Sequence, residues 1–204
     1  ACTEGVAVNL AGGTHHSYRD KGSGFCVFND AVIAARVLQK NHDAIRRVLI
    51  IDLDVHQGNG TASILQNDAS IFTFSMHGEK NFPFRKESSD LDVPLPDGCG
   101  DATYLNALDH ALDHIDLVFK PDFIIYLAGA DPHEGDRLGR MCLTQAGLLK
   151  RDQLALDFAA HKQVPIAIAM AGGYGKNIDS TVAVHVQTIR SALAMQAALQ
   201  NALN

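Results

Sequence analysis

The stretch "LIIDLDVHQGNG", Leu49 to Gly60, decides how this chain is read. Its aliphatic opening, with Val48 just ahead, predicts a strand buried on both faces. Asp52, Asp54 and His56 then follow at every second position. In an extended chain such residues point to the same side, so two carboxylates and an imidazole aim at one place. Gly58 and Gly60 let the backbone turn sharply straight after them.

Working outward, the runs "VAVNL" (6–10), "VLIID" (48–52), "IFTFSM" (71–76), "DFIIYLA" (122–128) and "PIAIAM" (165–170) predict buried strands. Helical patterns lie between them. Leu105, Leu108, Leu112, Ile115 and Phe119 recur at helix spacing. "NDAVIAARVLQ" offers an Asn29 or Asp30 cap, with Ile33, Val37 and Leu38 expected to face inward. Thr144 can cap the segment that follows it, and the Ala-rich C-terminal stretch reads as a long helix. "PLPDGCGD" (94–101) reads as a loop. Strands alternating with helices imply an α/β layer architecture with a largely parallel sheet, expected as a single domain over 1–204.

Each of these strands runs into glycine plus a polar residue of catalytic type: "AGGTHH", "DVHQGNG", "SMHGE", "AGADPHEGD" and "AGGYG". Ligands of open parallel sheets bind beyond the carboxyl ends of the strands. One crevice is therefore expected to gather His15, His16, Asp54, His56, His77, Asp131, His133 and Tyr174.

Composition narrows the function. The formal net charge of -6 argues against a broad phosphate-binding surface, and no nucleic-acid partner is expected. The 4 cysteines form no CxxC pair, which points to a reducing, cytoplasmic compartment. No apolar run approaches the roughly 18 residues of a membrane span, and no membrane partner is expected. The chain opens on Ala1 and enters a strand-like run by Gly5, a pattern expected of a piece that lacks its leading part.

Asp54, His56 and Asp131 supply hard oxygen and borderline nitrogen without thiolate, a donor set suited to catalytic Zn²⁺ with one open position. His133 is a competing ligand two residues on. The adjacent His15 and His16 suit proton traffic near neutral pH. His42, His110, His114, His161 and His185 fall on helical stretches and read as ordinary histidines. Tyr174, in a glycine-rich turn, can donate to a developing oxyanion.

Taken in order, "GGTHHSYRDKGSGFCVFND", "IDLDVHQGNGTA", "SMHGEKNFPF", "YLAGADPHEGDRLGR" and "AGGYG" resemble the histone deacetylase family of zinc amidohydrolases. The small class IV branch and its bacterial relatives are the closest in pattern. The resemblance implies a three-layer α/β fold of the arginase/deacetylase type, here without the family's N-terminal part. It implies one Zn²⁺ per chain on Asp54, His56 and Asp131, His15 and His16 as the proton-transfer pair, and Tyr174 as oxyanion donor. Gly24, Phe25, Phe82, Leu138 and Gly173 would line an acyl-lysine tunnel. Asp52, Ser75 and Met76 fall where the family holds a structural monovalent cation, K⁺, and Asp52 also stands behind His15. Where the family commonly reads His-Gly-Asp-Gly, this chain reads Gln57-Gly58-Asn59-Gly60, so an amide takes the place of the carboxylate behind His16.

The activity so implied is removal of acyl groups from N-acyl amines, acyl-lysine first. An acetylpolyamine amidohydrolase shares the chemistry. An arginase-type ureohydrolase needs a second metal bridged by an Asp at position 58, which is Gly58 here. A metal-binding fragment without activity is the non-enzymatic alternative. Oligomeric state is open.

Overall fold

The computed structural model describes residues 1–202. The expected strands form as β1 (Val6–Asn9), β2 (Val48–Asp52), β3 (Ile71–Gly78), β5 (Phe123–Leu127) and β6 (Ile166–Ala169), and β4 (Leu91–Leu95) joins them. β1, expected to be buried, lies at the sheet edge with only Val6 buried. Among the described residues they make one parallel sheet in the order β1-β6-β5-β2-β3-β4. The unforeseen β4 is a half-buried edge strand containing Pro94, which lacks an N–H and is tolerated only at an edge.

The helices are α1 (Asp30–Asn41), α2 (Asn59–Leu65), α3 (Asp101–Val118), α4 (Gln145–Lys162) and α5 (Ile178–Ala202). Alternation along the strands sends side chains to two cores. Leu49, Ile51, Ile124 and Tyr126 meet Leu108 and Ile115 of α3, Leu148 and Ala155 of α4 and Val184 of α5. Val48, Ile50, Ile125 and Leu127 meet Ala31, Val32 and Ala35 of α1 and Leu65 of α2. The result is three layers, with the sheet covered on both faces. Each fully buried aliphatic side chain contributes about 1.5–3 kcal/mol, which is why an unbroken apolar run such as β2 lies at the centre.

Capping fixes where the helices start. Asn29 accepts from Val32 N and caps α1, while Thr144 accepts from Gly147 N and caps α4. The α1 phase differs from the expected one. Val32 and Ala35 face the sheet with Leu38 partly buried, whereas Ile33 and Val37 are each 50% exposed.

The strand order positions the site. From β2 the chain builds outward through β3 and β4, then returns to place β5 on the other side of β2 and β6 beyond it. The β2–β5 boundary is thus a topological switch point, where loops diverge and leave a crevice. Asp54 follows β2 and Asp131 follows β5. Gly60 completes the quoted stretch: a Cβ there would lie 2.2 Å from Ser17 O, so the absence of a side chain lets the histidine loop pack against α2.

Candidate active site and metal centre

The loop after β1 is tied to the start of α1. Asp30 accepts from Gly13 N and Thr14 N, both at 2.8 Å, and Asn29 Nδ2 donates to His15 O and Ser17 O. His15 and His16 are thereby held, 3% and 6% exposed, above the end of β2.

Asp54, His56 and Asp131 converge, with ligand atoms all within 4.8 Å of one another. His56 Nδ1 lies 3.0 Å from Asp54 Oδ1 and 3.1 Å from Asp131 Oδ2. The outer oxygens are held by backbone: Gly172 N donates to Asp54 Oδ2 at 2.7 Å and Val55 N to Asp131 Oδ1 at 2.9 Å. A Cβ on Gly172 would sit 2.2 Å from Asp131 Oδ2, so only glycine lets that backbone approach. Two buried carboxylates facing each other repel. Burial and the neighbouring Asp54 charge raise Asp131 to about 7. Burial disfavours the charged His56 ring, yet Asp131 and Asp54 outweigh it and raise the ring to about 10. The three groups are placed so that they could hold a cation between them, and their donor set fits Zn²⁺.

The two histidines sit in opposite environments. His15 Nδ1 donates to Asp52 Oδ2 at 2.6 Å. Burial works against its charge, but Asp52 and Asp54 prevail and raise its pKa to about 9. His16 Nδ1 meets Asn59 Oδ1 at 2.7 Å. Burial first, and then the charge of His15, lower its pKa to about 3. Asn59 Nδ2 donates to Tyr18 OH, which donates to Glu87. That chain fixes the amide with its oxygen toward His16, so Nδ1 of His16 carries the proton and Nε2 is left as acceptor. His15 Nε2 lies 3.1 Å from His16 Nε2.

A cavity of about 630 Å³ opens from this floor. Gly24, Phe25, Phe82, Phe84, Leu138 and Tyr174 line it. The Phe82 ring stands edge-on to His16 at 5.0 Å, and the Phe25 and Tyr174 rings lie 6.3 Å apart. Asp136 accepts from Tyr174 N at 2.6 Å and fixes that turn. Burial and the Asp54 and Asp131 charges raise the Tyr174 phenol, which stays a hydrogen-bond donor at neutral pH.

Some sequence candidates fall elsewhere. Gly173 faces Thr181, Ala130 and His185 behind the loop, and its neighbour Gly172 lines the cavity instead. His133 accepts from Gly135 N in its own turn, and buried His77 meets Ser75 Oγ at 3.0 Å. Neither lines the cavity. Ser75 pairs with Asp52 across β2 and β3, with Met76 fully buried beside it. The sequence reading missed Phe84, which is 90% exposed on the cavity wall, although "NFPF" sets it two residues after Phe82. It also missed Tyr18 and Glu87 behind Asn59, partners that spacing alone does not announce.

The histone deacetylase domain family matches residues 1–189. An uncharacterized protein of Picosynechococcus is 48% identical over 192 residues, covering 94% of this chain and 64% of that protein. Histone deacetylase 2 of Arabidopsis thaliana is 33% identical, covering 93% of this chain and 49% of that protein. This chain thus spans about half to two thirds of the length of these relatives. Among solved structures, an acetylpolyamine aminohydrolase from Burkholderia pseudomallei aligns with TM-score 0.79 at 25% identity, covering 94% of this chain and 57% of that one. A histone deacetylase homolog complexed with SAHA aligns with TM-score 0.79 at 26% identity, covering 94% and 52%. With the convergent carboxylates and imidazole and the paired histidines in place, the match establishes that this chain belongs to the histone deacetylase family.

Proposed function

We propose that this chain is a zinc-dependent amidohydrolase, with one Zn²⁺ per chain, that removes acyl groups from N-acyl amines and from acyl-lysine in particular. The observation that carries the reading is the opposite setting of His15 and His16 beside the Asp54–His56–Asp131 cluster. Neighbouring groups whose environments drive their pKa values apart divide acid and base roles between them.

When bound, the ion would supply a Lewis acid at the substrate carbonyl. His16, with Nε2 unprotonated, takes the proton of the attacking water. Tyr174 donates its hydroxyl to the carbonyl oxygen as negative charge grows there. His15, held protonated by Asp52, gives a proton to the amine nitrogen as the C–N bond breaks. One C–O bond forms, one C–N bond breaks, and water divides between acid and amine.

The walls and the mouth bear on the substrate. Phe25, Phe82, Phe84 and Leu138 offer apolar contact suited to a methylene chain. Lys80, Arg137 and Arg140 also line the cavity, and of these Arg140 pairs with Asp97 at 2.9 Å. A second ammonium of a polyamine would meet these cations, which favours a lysine within a polypeptide. The acetylpolyamine aminohydrolase likeness supports the polyamine as the second reading. Gly58 speaks against a second bridged metal and an arginase-type reaction. A structural K⁺ by Asp52, Ser75 and Met76 belongs to the same reading. So does a cytoplasmic setting, supported by four free cysteines.

The test is hydrolysis of an acetyl-lysine peptide and an N-acetylated polyamine, before and after chelation and after zinc is restored. Peptide turnover lost on chelation and recovered with zinc is expected, at least about tenfold above the polyamine. Turnover indifferent to chelation would defeat the reading.

A further inference from the structure

Among the described residues, the largest fully buried side chain is a cation. Arg151 of α4 is 0% exposed, as is its neighbour Asp152. Arg151 Nε and Nη2 donate to Asp152 Oδ1 at 3.0 and 2.8 Å. Tyr126 OH of β5 donates to Asp152 Oδ1 at 2.6 Å, and Thr188 Oγ1 of α5 donates to Oδ2 at 2.5 Å. Removing an ion pair from water is costly, and a well-packed apolar pair of the same size is often as stable. Stability alone therefore does not explain the pair.

The free edge of the guanidinium does. Arg151 Nη1 donates closely to Gly129 O and, at 3.5 Å, to Leu53 O. Leu53 N makes a late β2–β5 rung, donating to Leu127 O at 3.1 Å, and beyond it the two chains diverge into their loops. Leu53 immediately precedes Asp54, and Gly129 stands two residues before Asp131. One planar, rigid group thus bridges the two backbones at the point where each turns to present its carboxylate.

We propose that Arg151 is a positioning residue that fixes the separation of Asp54 and Asp131 and so sets the affinity and geometry of the metal site, with Asp152, Tyr126 and Thr188 holding it in place. This rests on the reading of Asp54, His56 and Asp131 as ligands. Lysine carries the charge but not the fork: its single ammonium cannot hold Asp152, as Nε and Nη2 do, and also reach the two carbonyls, as Nη1 does, in the same geometry. Methionine fills the space and serves neither. Partners standing behind metal ligands typically contribute about 10- to 100-fold to affinity.

Co²⁺ is the probe, because its visible absorption reports both binding and coordination geometry. The full chain, Arg151→Met, Arg151→Lys and Tyr126→Phe are titrated with Co²⁺, and each is melted with and without the metal. Tyr126→Phe removes one of the hydrogen bonds that hold Asp152 and no group that touches either carbonyl. The unaltered chain should bind one equivalent. Arg151→Met should weaken binding about 10- to 100-fold with an altered spectrum, Arg151→Lys should recover part of that loss, and Tyr126→Phe should change affinity less than Arg151→Lys. Should Arg151→Met fail to fold, Arg151→Lys carries the comparison. A purely structural pair would lower the metal-free melting temperature yet leave Co²⁺ affinity and spectrum within about twofold in the folded variants, which overturns the proposal. Failure of the unaltered chain to bind Co²⁺ would overturn the ligand reading itself, and this proposal with it.

Discussion

Asp52→Asn separates the two histidines most cleanly, because it removes a charge while keeping the shape. Asp52 Oδ2 lies 2.6 Å from His15 Nδ1, and both side chains are 3% exposed, so solvent scarcely screens the pair. A close opposite charge is worth about 1–3 in pKa. The change should bring His15 down from about 9 to between roughly 6 and 8. At a mid-range value of about 7, the protonated fraction at pH 8 falls from about nine tenths to about one tenth. At pH 6 it barely changes. The sign follows from the proposed role: with His15 as the acid, the alkaline limb of kcat/KM moves to lower pH and the acid limb stays. The assay is hydrolysis of an acetyl-lysine peptide from pH 5.5 to 9.5, with metal content measured alongside because Asp52 Oδ1 also accepts from Asp54 N at 3.2 Å. About tenfold loss at pH 8 with near-normal activity at pH 6 is expected. Profiles that superimpose, in a variant that keeps its metal, would refute the assignment of His15 as the charged acid.

Asn59→Asp places a carboxylate against His16 Nδ1 and should raise its pKa, moving the acid limb of kcat/KM up by roughly one pH unit; an unmoved limb would mean that Asn59 does not govern the base. Tyr174→Phe should lower kcat about 100- to 1,000-fold while metal stoichiometry stays at the unaltered value, as loss of one oxyanion donor does; unchanged kcat would place the phenol outside the reaction. Asp131→Ala removes one of three convergent donors, and metal analysis of the purified variant should find far less than one equivalent; a full equivalent would sink the ligand assignment.

Much of the site was legible because it lies at strand ends, and a parallel strand buried on both faces announces itself as an unbroken apolar run. Asp54, His56 and Asp131 follow such runs within a few residues, whereas the histidine pair follows β1, an edge strand in which Val6 alone is buried. β4 was not legible, since Asp92 and Pro94 interrupt the pattern and an edge strand buries little. Helix α2 was read only as a turn: it is 7 residues long and its Gly58 cap makes no side-chain hydrogen bond. In α1 the bulkier Ile33 and Val37 drew the reading, while the cap sets smaller residues against the sheet. Arg151 and Asp152 did leave a signal. They share helix spacing with Leu148, Ala155 and Ala159, so a charged pair sat at core positions of α4. Residue type outweighed position there, because buried charges are rare unless paired and the partners come from β5 and α5.

The most direct test of the central reading is a zinc titration of the metal-stripped chain, followed by acetyl-lysine peptide hydrolysis. Activity should start near zero, rise linearly and break sharply at one equivalent of zinc. Hydrolysis that persists without metal, or a break at two equivalents, would contradict a single-ion site built on Asp54, His56 and Asp131.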